Sequence, residues 1–421
     1  MIGSLLERRA KLMGPNISTF YRTPVHLVKG QGVWLWDAAG NRYLDCYNNV
    51  AHVGHCHPRV VEAICTQAAL LNTHTRYLHE NVLNYIERLT GTFRHNLAQA
   101  IMVCTGSEAN DIALRMAQAS TGHTGIIATD ATYHGNTTAV SQLSTRKPPI
   151  GGRWPNVRLV PAPDTRRNPD PTGHIFAKHV AQAAQELADA GFGVSGLLIC
   201  PMFANEGLPI LQTGFLDAAV ATIRKFGGVV IADEVQPGFG RAGSHFWGHE
   251  KLGFAPDIVT LGKPMANGHP VGAVVTTPEI MAEFRNSFSY FNTFGGNPVS
   301  AAAAMAVLDV IDAEDLQANA FKVSGHVLAR MHTLNHPLLA QVRANGMFFA
   351  IEFENDLDHT PAASFTGDLV EALVAKGFIL NRIGKAQNIL KIRPPLPFSI
   401  ENADMLMDAV ETVLRETPVV S

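Results

Sequence analysis

Asp257-Ile258-Val259-Thr260-Leu261-Gly262-Lys263-Pro264 is a short apolar stretch that ends at a lysine, and a second stretch of this kind precedes it in the chain. The second stretch is Val229-Val230-Ile231-Ala232-Asp233-Glu234. Both are rich in β-branched residues and too short for a typical helix, which predicts two strands buried on both faces. Each strand therefore brings one ionisable side chain, Asp233 or Lys263, to the point where the strand ends.

A lysine and an aspartate placed in this way are the two groups that pyridoxal 5'-phosphate (PLP) chemistry requires. A lysine amine forms a Schiff base with the aldehyde of this cofactor. A carboxylate keeps the pyridine nitrogen protonated, so that the ring can take up the electrons of a carbanion. We therefore predict that Lys263 binds the cofactor covalently and that Asp233 faces its ring nitrogen.

The surrounding chain alternates between helical and strand-like segments, which predicts an α/β protein with a mostly parallel sheet covered by helices. We divide it into an N-terminal segment (1–55), a large cofactor-binding domain (56–310) and a C-terminal part (311–421) that forms a smaller α+β domain together with the first segment. Residues 1–55 are predicted to be irregular apart from short extended pieces. The stretch 146–172 is rich in proline, glycine and arginine, and we predict a mobile loop there.

Individual elements are also predicted by pattern. The chain is predicted to be helical in Pro58 to Leu71, in a segment that begins near Gln212-Thr213-Gly214, from Pro298 through Ile311, near 366–376 and near 402–415, and extended at Phe348 to Phe353 and Asn388 to Arg393.

Composition limits the classes of partner. The 421 residues are 46% hydrophobic and 16% charged, with a formal net charge of −3 at pH 7. A weakly acidic chain gives no reason to expect nucleic acid or an anionic membrane as partner. No apolar stretch approaches the ~20 residues of a membrane span, and the N-terminus lacks the apolar core of a signal peptide. The five cysteines have no paired spacing, which favours free thiols and a cytoplasmic location.

A candidate phosphate cradle lies at Thr105-Gly106-Ser107-Glu108, which has the form of a capping box. Glycine allows close approach of the backbone, and the amides at a helix N-terminus attract an anion. Taken alone, the box could be an ordinary helix start. Combined with the Asp233 and Lys263 pair, it predicts a phosphate site, and Tyr133 is a candidate to lie against the cofactor rather than in the core.

Six motifs occur in the order in which they occur in the class III aminotransferases, and the chain resembles that family over nearly its whole length. The resemblance implies the PLP fold type I architecture, with a large, mostly parallel sheet of the seven-stranded type. It also implies a homodimer with active sites at the subunit boundary. The motifs are Thr105-Gly106-Ser107-Glu108-Ala109-Asn110, Tyr133-His134-Gly135, Asp233-Glu234-Val235-Gln236, Gly238-Phe239-Gly240-Arg241, Gly262-Lys263-Pro264 and Phe294-Gly295-Gly296-Asn297-Pro298.

The resemblance implies a role for each matching residue. Lys263 corresponds to the Schiff-base lysine and Asp233 to the partner of the pyridine nitrogen. The other roles are binding of the cofactor phosphate by Gly106 and Ser107, stacking on the ring by Tyr133, packing on its other face by Val235, contact with the phenolic oxygen by Gln236, and contact with the phosphate from the neighbouring subunit by Thr293.

Two other patterns favour different ligands less strongly. Gly238 to Gly243 matches GxGxxG, but a dinucleotide site needs these glycines between a strand and a helix, and no helical apolar period follows here. His52, His55, Cys56 and His57 are metal-ligand types, but closed zinc sites usually draw ligand pairs from separated segments. We therefore predict no metal site.

Two positions depart from the aminotransferase pattern. Cys200-Pro201 stands where members of the class commonly have Glu-Pro, and Lys391 stands where they have an arginine. In Leu390-Lys391-Ile392-Arg393, strand periodicity places Lys391 and Arg393 on one face. Two cations on one face suit a phosphate dianion. The alternative is a solvated strand edge with two ordinary surface cations.

Further stretches are similar to the PLP-dependent phospho-lyases that act on O-phosphoethanolamine and 5-phosphohydroxylysine. This resemblance implies elimination of phosphate from a small phosphorylated amine, with acetaldehyde, ammonia and phosphate as products from phosphoethanolamine. An ω-amine or 4-aminobutyrate-type aminotransferase is the second hypothesis, and a non-catalytic PLP-binding protein is the third. The stretches are 43–58, Phe246-Trp247, 262–270 and Tyr290-Phe291-Asn292-Thr293.

Overall fold

The computed structural model describes residues 2–145, 149–355 and 358–417. The helices are α1 (Ile2–Met13), α2 (Pro58–Leu70), α3 (Glu80–Thr90), α4 (Gly106–Thr121), α5 (Thr138–Ser141), α6 (His174–Asp189), α7 (Asp217–Lys225), α8 (Gly248–Leu252), α9 (Pro278–Ser287), α10 (Pro298–Ala313), α11 (Leu316–His332), α12 (Ala363–Ala375) and α13 (Ile400–Glu416). The strands are β1 (Leu27–Gln31), β2 (Trp34–Asp37), β3 (Arg42–Asp45), β4 (Gln99–Val103), β5 (Ile126–Thr129), β6 (Val157–Val160), β7 (Gly196–Ile199), β8 (Val229–Asp233), β9 (Ile258–Leu261), β10 (Gly272–Thr276), β11 (Leu339–Ala344), β12 (Phe349–Phe353), β13 (Phe378–Ile379), β14 (Asn381–Ile383) and β15 (Ile389–Ile392).

The largest sheet has the strand order β4-β10-β9-β8-β7-β5-β6. Strand β10 pairs antiparallel with both β4 and β9, while the neighbouring pairs from β9 to β6 are parallel. This sheet confirms the predicted α/β class and the mostly parallel seven-stranded sheet. The two stretches that decided the prediction are its neighbouring strands β8 and β9, in which Asp233 lies opposite Thr260.

Both faces of this sheet are covered, as its uninterrupted apolar strands require. Ile231 and Ile258 belong to a buried cluster with α4, whereas Val230 and Val259 belong to a cluster on the opposite side. Because side chains alternate along a strand, Asp233 falls on the same side of β8 as Ile231 and faces α4. The alternation thus decides which helix meets the aspartate.

Two smaller sheets flank the large one. In the first, the order is β1-β2-β3-β13, and the parallel pairing of β3 with β13 joins the N-terminal segment to the C-terminal part of the chain. In the second, the order is β11-β12-β15-β14, with antiparallel pairs throughout. Strand β15 is therefore an inner strand. The domain limits at residues 55 and 310 stay a prediction.

Most predicted elements outside the large sheet are present within a few residues, as α2, α7, α10, α12, α13, β12 and β15. Two expectations were wrong. The segment 1–55 begins with the helix α1, in which Leu5, Leu6, Leu12 and Met13 recur at helical spacing although they are exposed in the single chain. The stretch 146–172 contains β6, which pairs in parallel with β5, and its residues 146–148 lie outside the described residues. Among the described helices, none is long and apolar enough to cross a membrane.

Candidate active site

A cavity of about 360 Å³ lies at the carboxyl edge of the large sheet. The parallel strands β4, β5, β7, β8 and β9 all end at this edge, so the loops that follow them meet there, as ligand sites in such sheets do. The cavity is lined by Val50, Cys104, Thr105, Gly106, Ser107, Tyr133, His134, Gly135, Cys200, Asp233, Val235, Gln236, Lys263, Gly268, His269, Pro270 and Val271. The structure thus brings Asp233 and Lys263 to one cavity.

Three donors orient the buried carboxylate of Asp233. Its Oδ2 lies 2.6 Å from Nδ1 of His134 and accepts a hydrogen bond of 3.0 Å from Nδ2 of Asn110. Its Oδ1 accepts from the amide of Val235 at 3.0 Å. Asn110 is held in turn by Thr260, whose Oγ1 donates to Oδ1 of Asn110 at 2.7 Å. Three protein donors therefore fix the orientation of the Asp233 carboxylate.

His134 and Asn110 contact Asp233 directly, and the sequence analysis assigned no role to either of them. Both stand inside motifs that the sequence analysis quoted, so their position was visible although their partner was not. Asn110 is in the second turn of α4 and His134 follows β5, far from Asp233 in sequence. Only the packing of α4 on the sheet brings them together.

The predicted phosphate cradle forms at the start of α4. Oγ1 of Thr105 accepts from the amide of Glu108, and the carboxylate of Glu108 accepts from the amide of Thr105 at 3.1 Å, so the predicted capping box is present. The amides of Gly106 and Ser107 come before the first intrahelical donor, and they are available to an anion.

Two glycines allow neighbouring protein groups to pack closely around this cradle. A Cβ atom on Gly106 would come within 2.9 Å of the Val235 side chain, and one on Gly135 would come within 2.7 Å of Oγ of Ser107. Gly135 also has φ of +146°, which side chains with a Cβ rarely adopt. The turn that carries Tyr133 therefore lies directly on Ser107.

Lys263 begins a 3-10 turn (Lys263–Ala266) after β9. Gly262 precedes it, and its Cα lies so close to the amide of Gly106 that an added Cβ would be 3.1 Å from it. The side chain of Lys263 is exposed to the cavity. Tyr133, Val235 and Gln236 line the same cavity. Thr293 is exposed to solvent and is not one of the described residues that line this cavity.

Lys391 and Arg393 are buried, with only 1% and 7% of their surfaces exposed. Lys391 Nζ donates to the carbonyl of Ala204 at 2.7 Å and to Oε1 of Gln236 at 3.2 Å. Arg393 donates from Nη1 to the same Oε1 and from Nε to the carbonyl of Tyr47 at 3.1 Å. The alternative of a solvated strand edge is therefore wrong, because β15 is an inner strand and both cations converge one layer behind the cavity.

These two cations form no ion pair with any carboxylate of the described residues, and neither does the fully buried Arg241 beside them. Burial, with Arg393 and Lys263 nearby, lowers the pKa of Lys391 well below its ordinary value, against weaker opposing effects of Cys200 and Glu206. Burial likewise lowers the pKa of Arg393. A buried cation without an anion is costly, so this cluster is suited to an anionic ligand.

The histidines of the 52–57 segment have protein partners. His52 Nε2 donates to the carbonyl of Phe239 at 2.7 Å, and its Nδ1 accepts from Arg241 at 3.1 Å. Burial lowers the pKa of His52 well below its ordinary value, which agrees with a neutral ring. His55 contacts Asp45 at 2.6 Å and His57 contacts Glu314 at 2.9 Å. The three rings therefore point to three different partners.

The residues of the cavity fit PLP. Gly106 and Ser107 line the cavity at the first turn of α4, where backbone amides have no intrahelical acceptor and can bind a phosphate group. Asp233 offers an oriented carboxylate for a pyridine nitrogen, and Lys263 offers an amine in the same cavity. The volume is also in the usual range for small-molecule and cofactor sites.

Comparisons with known proteins show relatives that match nearly the whole chain. A phospholyase from Arthrobacter, solved in complex with phosphoethanolamine, is 42% identical, with a TM-score of 0.94, over 98% of this chain and 100% of that one. The alanine–glyoxylate aminotransferase 2-like protein of Drosophila melanogaster is 38% identical over 95% of this chain and 84% of its own length. Ethanolamine-phosphate phospho-lyase homolog 1 of Caenorhabditis elegans is 33% identical over 97% and 93%.

The family model "Aminotransferase class-III" matches residues 18–414. The match spans the cradle, Asp233, Lys263 and both buried cations, and the fold is that of PLP fold type I. Pyridoxal 5'-phosphate is the cofactor of this protein. The chain therefore belongs to the class III aminotransferase family.

Proposed function

We propose that this protein is a phospho-lyase that eliminates phosphate from O-phosphoethanolamine and yields acetaldehyde, ammonia and phosphate. One observation supports this most directly: Lys391 and Arg393 are buried beside the cofactor cavity without a carboxylate partner among the described residues. A phosphate dianion would supply the missing negative charge. The phosphoethanolamine bound to the 42% identical Arthrobacter phospholyase supports the same substrate class.

Both cations retain donors for such an anion. Lys391 uses Nζ for Ala204 and Gln236, and an ammonium has one more N–H than these contacts need. Arg393 uses Nε and Nη1, and its guanidinium has further N–H groups. A phosphate could therefore bind without displacing Gln236. Charge-assisted bonds of this kind are the strong ones.

PLP supplies an electron sink for a carbanion at the carbon that bears the substrate nitrogen. In this proposal, Gly106 and Ser107 would hold its phosphate, Tyr133 and Val235 would pack against its ring, and Gln236 would contact its phenolic oxygen. Asp233 would keep the pyridine nitrogen protonated, and His134 and Asn110 hold Asp233 in place. Lys263 would hold the cofactor covalently and would be freed when the substrate amine takes its place.

Once replaced, the amine of Lys263 acts as the general base and removes the proton from the carbon that bears nitrogen. The electron pair of that C–H bond forms the new carbon–carbon double bond. The adjacent C–O bond breaks, and phosphate leaves with the electron pair of that bond. Lys391 and Arg393 stabilise the charge that develops on the leaving group. The amine of Lys263 would then displace the product nitrogen from the cofactor and release the enamine, which water hydrolyses to acetaldehyde and ammonia.

A homodimer with shared sites belongs to the same proposal. Thr293 is exposed and outside the cavity of its own chain, which suits a contact with a neighbouring subunit. Phe291 and Phe294 on the same segment are 42% and 70% exposed, and Tyr77 and Leu78 are also exposed. Apolar side chains clustered at the surface are typical of interfaces.

The second candidate is an aminotransferase, and the 38% identical Drosophila relative with that name favours it. All the cofactor residues would serve both reactions. The difference lies in the anion site, because a keto acid or amino acid brings a carboxylate rather than a phosphate dianion. A longer phosphorylated amine, such as 5-phosphohydroxylysine, is a variant of the leading proposal.

The deciding experiment incubates PLP-loaded protein with O-phosphoethanolamine and no keto acid, and measures phosphate and acetaldehyde. We expect both products in equal amounts over many turnovers. A parallel incubation with L-alanine and glyoxylate measures pyruvate. If pyruvate forms and no phosphate is released, the proposal is overturned in favour of the aminotransferase. If phosphate is released from 5-phosphohydroxylysine but not from O-phosphoethanolamine, the longer amine replaces O-phosphoethanolamine as the proposed substrate.

A further inference from the structure

The side-chain amide of Gln236 has its oxygen in contact with two cations. Oε1 accepts from Nζ of Lys391 at 3.2 Å and from Nη1 of Arg393. Both cations are buried behind the cavity, whereas Gln236 is one of the residues that line it. The oxygen of this amide therefore points away from the cavity.

This orientation follows from donor chemistry. A guanidinium and an ammonium carry only hydrogen-bond donors, so the atom of Gln236 that meets them has to be the oxygen. The opposite amide orientation would place an NH2 group against two cations. Because the oxygen is turned to the protein, the nitrogen Nε2 is the polar atom that Gln236 can offer to the cavity.

Arg393 is the stronger of the two constraints. A guanidinium stays protonated at any working pH. Lys391 faces Arg393, Lys263, Cys200 and Glu206, and burial lowers its pKa, so its amine is the more easily deprotonated of the two cations. A neutral amine could accept a hydrogen bond, but Arg393 alone would still hold the amide oxygen.

We infer that Arg393 and Lys391 are positioning residues for the cofactor, because they turn the amide of Gln236 so that its nitrogen donates to the phenolic oxygen of bound PLP. A donor at that oxygen would stabilise its negative charge. The pKa of the titratable proton of bound PLP would therefore be lower with this donor than without it. This effect is independent of the substrate, so it holds for a lyase and for an aminotransferase.

The test follows the visible absorbance of PLP-loaded protein as a function of pH, with no substrate present. Arg393→Met and Lys391→Met remove the contacts to Oε1 while keeping much of the side-chain volume. We expect the pH midpoint of the absorbance change to rise, by about one pH unit for Arg393→Met and by less for Lys391→Met. Arg393→Lys, which restores a donor, should return the midpoint toward the wild-type value.

Lys251 is a matched control, because it is a partly buried lysine with a lowered pKa that also donates to an amide oxygen, that of Asn345. Lys251→Met should leave the midpoint unchanged. An equal shift in this variant would mean that the loss of any buried lysine alters the cofactor, and the inference would fall.

A double-mutant cycle distinguishes action through Gln236 from a direct field of the cations. Gln236→Leu should raise the midpoint at least as far as Arg393→Met, and the combined variant should shift it no further than Gln236→Leu alone. Additive shifts, or an unchanged midpoint in Arg393→Met, overturn the inference. If Arg393→Met does not fold, the same cycle is measured with Lys391→Met, and additive shifts or an unchanged midpoint in that variant overturn the inference.

Discussion

Nδ1 of His134 lies 2.6 Å from Oδ2 of Asp233, and both side chains are buried at the carboxyl edge of the large sheet. A second pair with the same chemistry lies one residue further along the chain. Glu234 is fully buried, and its Oε1 lies 2.9 Å from Nδ1 of His249. Since neighbouring strand residues face opposite sides, one pair faces the cofactor cavity and the other faces α8.

His134→Phe should lower turnover about tenfold, because Asp233 loses a charge-assisted hydrogen bond worth about 1.5–3 kcal/mol. Steady-state kinetics at saturating substrate would show this. His249→Phe is the matched control, since it disturbs the equivalent pair at Glu234 and should affect thermal stability rather than turnover. Equal losses of turnover in the two variants would argue against a specific role for His134.

Asp233→Asn should lower turnover on the order of 100-fold or more, because a neutral ring nitrogen is a poorer electron sink. The carboxamide has nearly the same shape, so the fold should remain intact by circular dichroism. Near-normal turnover of the PLP-loaded variant would contradict the assignment of Asp233 to the ring nitrogen.

Lys263→Ala should lose all cofactor that borohydride can trap on the chain, because no other lysine lines the cavity in the described residues. Mass spectrometry of the reduced protein measures the trapped adduct. Lys391→Met is the control and should still trap PLP. An adduct on a different lysine in Lys263→Ala would assign the covalent link elsewhere.

Lys391→Ala and Arg393→Ala should each weaken the binding of O-phosphoethanolamine by about 1.5–3 kcal/mol, which is the contribution of one charge-assisted hydrogen bond. The expected reading is a rise in the substrate concentration needed for half-maximal phosphate release. PLP should stay bound in both variants, because its phosphate and Lys263 contacts are untouched. Normal substrate affinity in both variants would place the phosphate pocket elsewhere.

The stability of the protein should depend on pH through Lys391. The unfolded chain keeps this lysine protonated up to its ordinary pKa, whereas burial lowers the pKa in the folded state. Between those two pH values the unfolded state binds more protons, so the free energy of unfolding rises with pH in that window. Chemical denaturation at several pH values should show that the free energy of unfolding rises less steeply with pH in Lys391→Met than in the wild type. The same slope in both proteins would mean that Lys391 has an ordinary pKa.

Much of this protein could be predicted from short stretches of sequence. The apolar stretches 229–234 and 257–264 are too β-branched and too short for helices, and each ends at an ionisable residue. These local patterns predicted the buried parallel strands and the placement of Asp233 and Lys263 in one site. The capping box at Thr105 to Glu108 is equally local, and it predicted the start of α4.

The contacts that depend on long-range packing were not visible in the sequence. Strand β6 was missed because its pairing with β5 outweighs its proline-rich surroundings. The burial of Lys391 and Arg393 depends on the place of β15 inside its sheet. A strand has the same periodicity at an edge or in the interior, so only the neighbouring strands could decide it.

By itself, then, the sequence determined the class of fold and predicted the lysine, the aspartate and the start of the phosphate cradle, because each of these depends on the periodicity or the capping of one short segment. Tertiary structure alone decided which side chains hold Asp233, and that two cations meet the oxygen of Gln236. Those contacts join residues that are 99 to 157 positions apart, and the chain brings them together only when its helices and sheets bury their apolar faces.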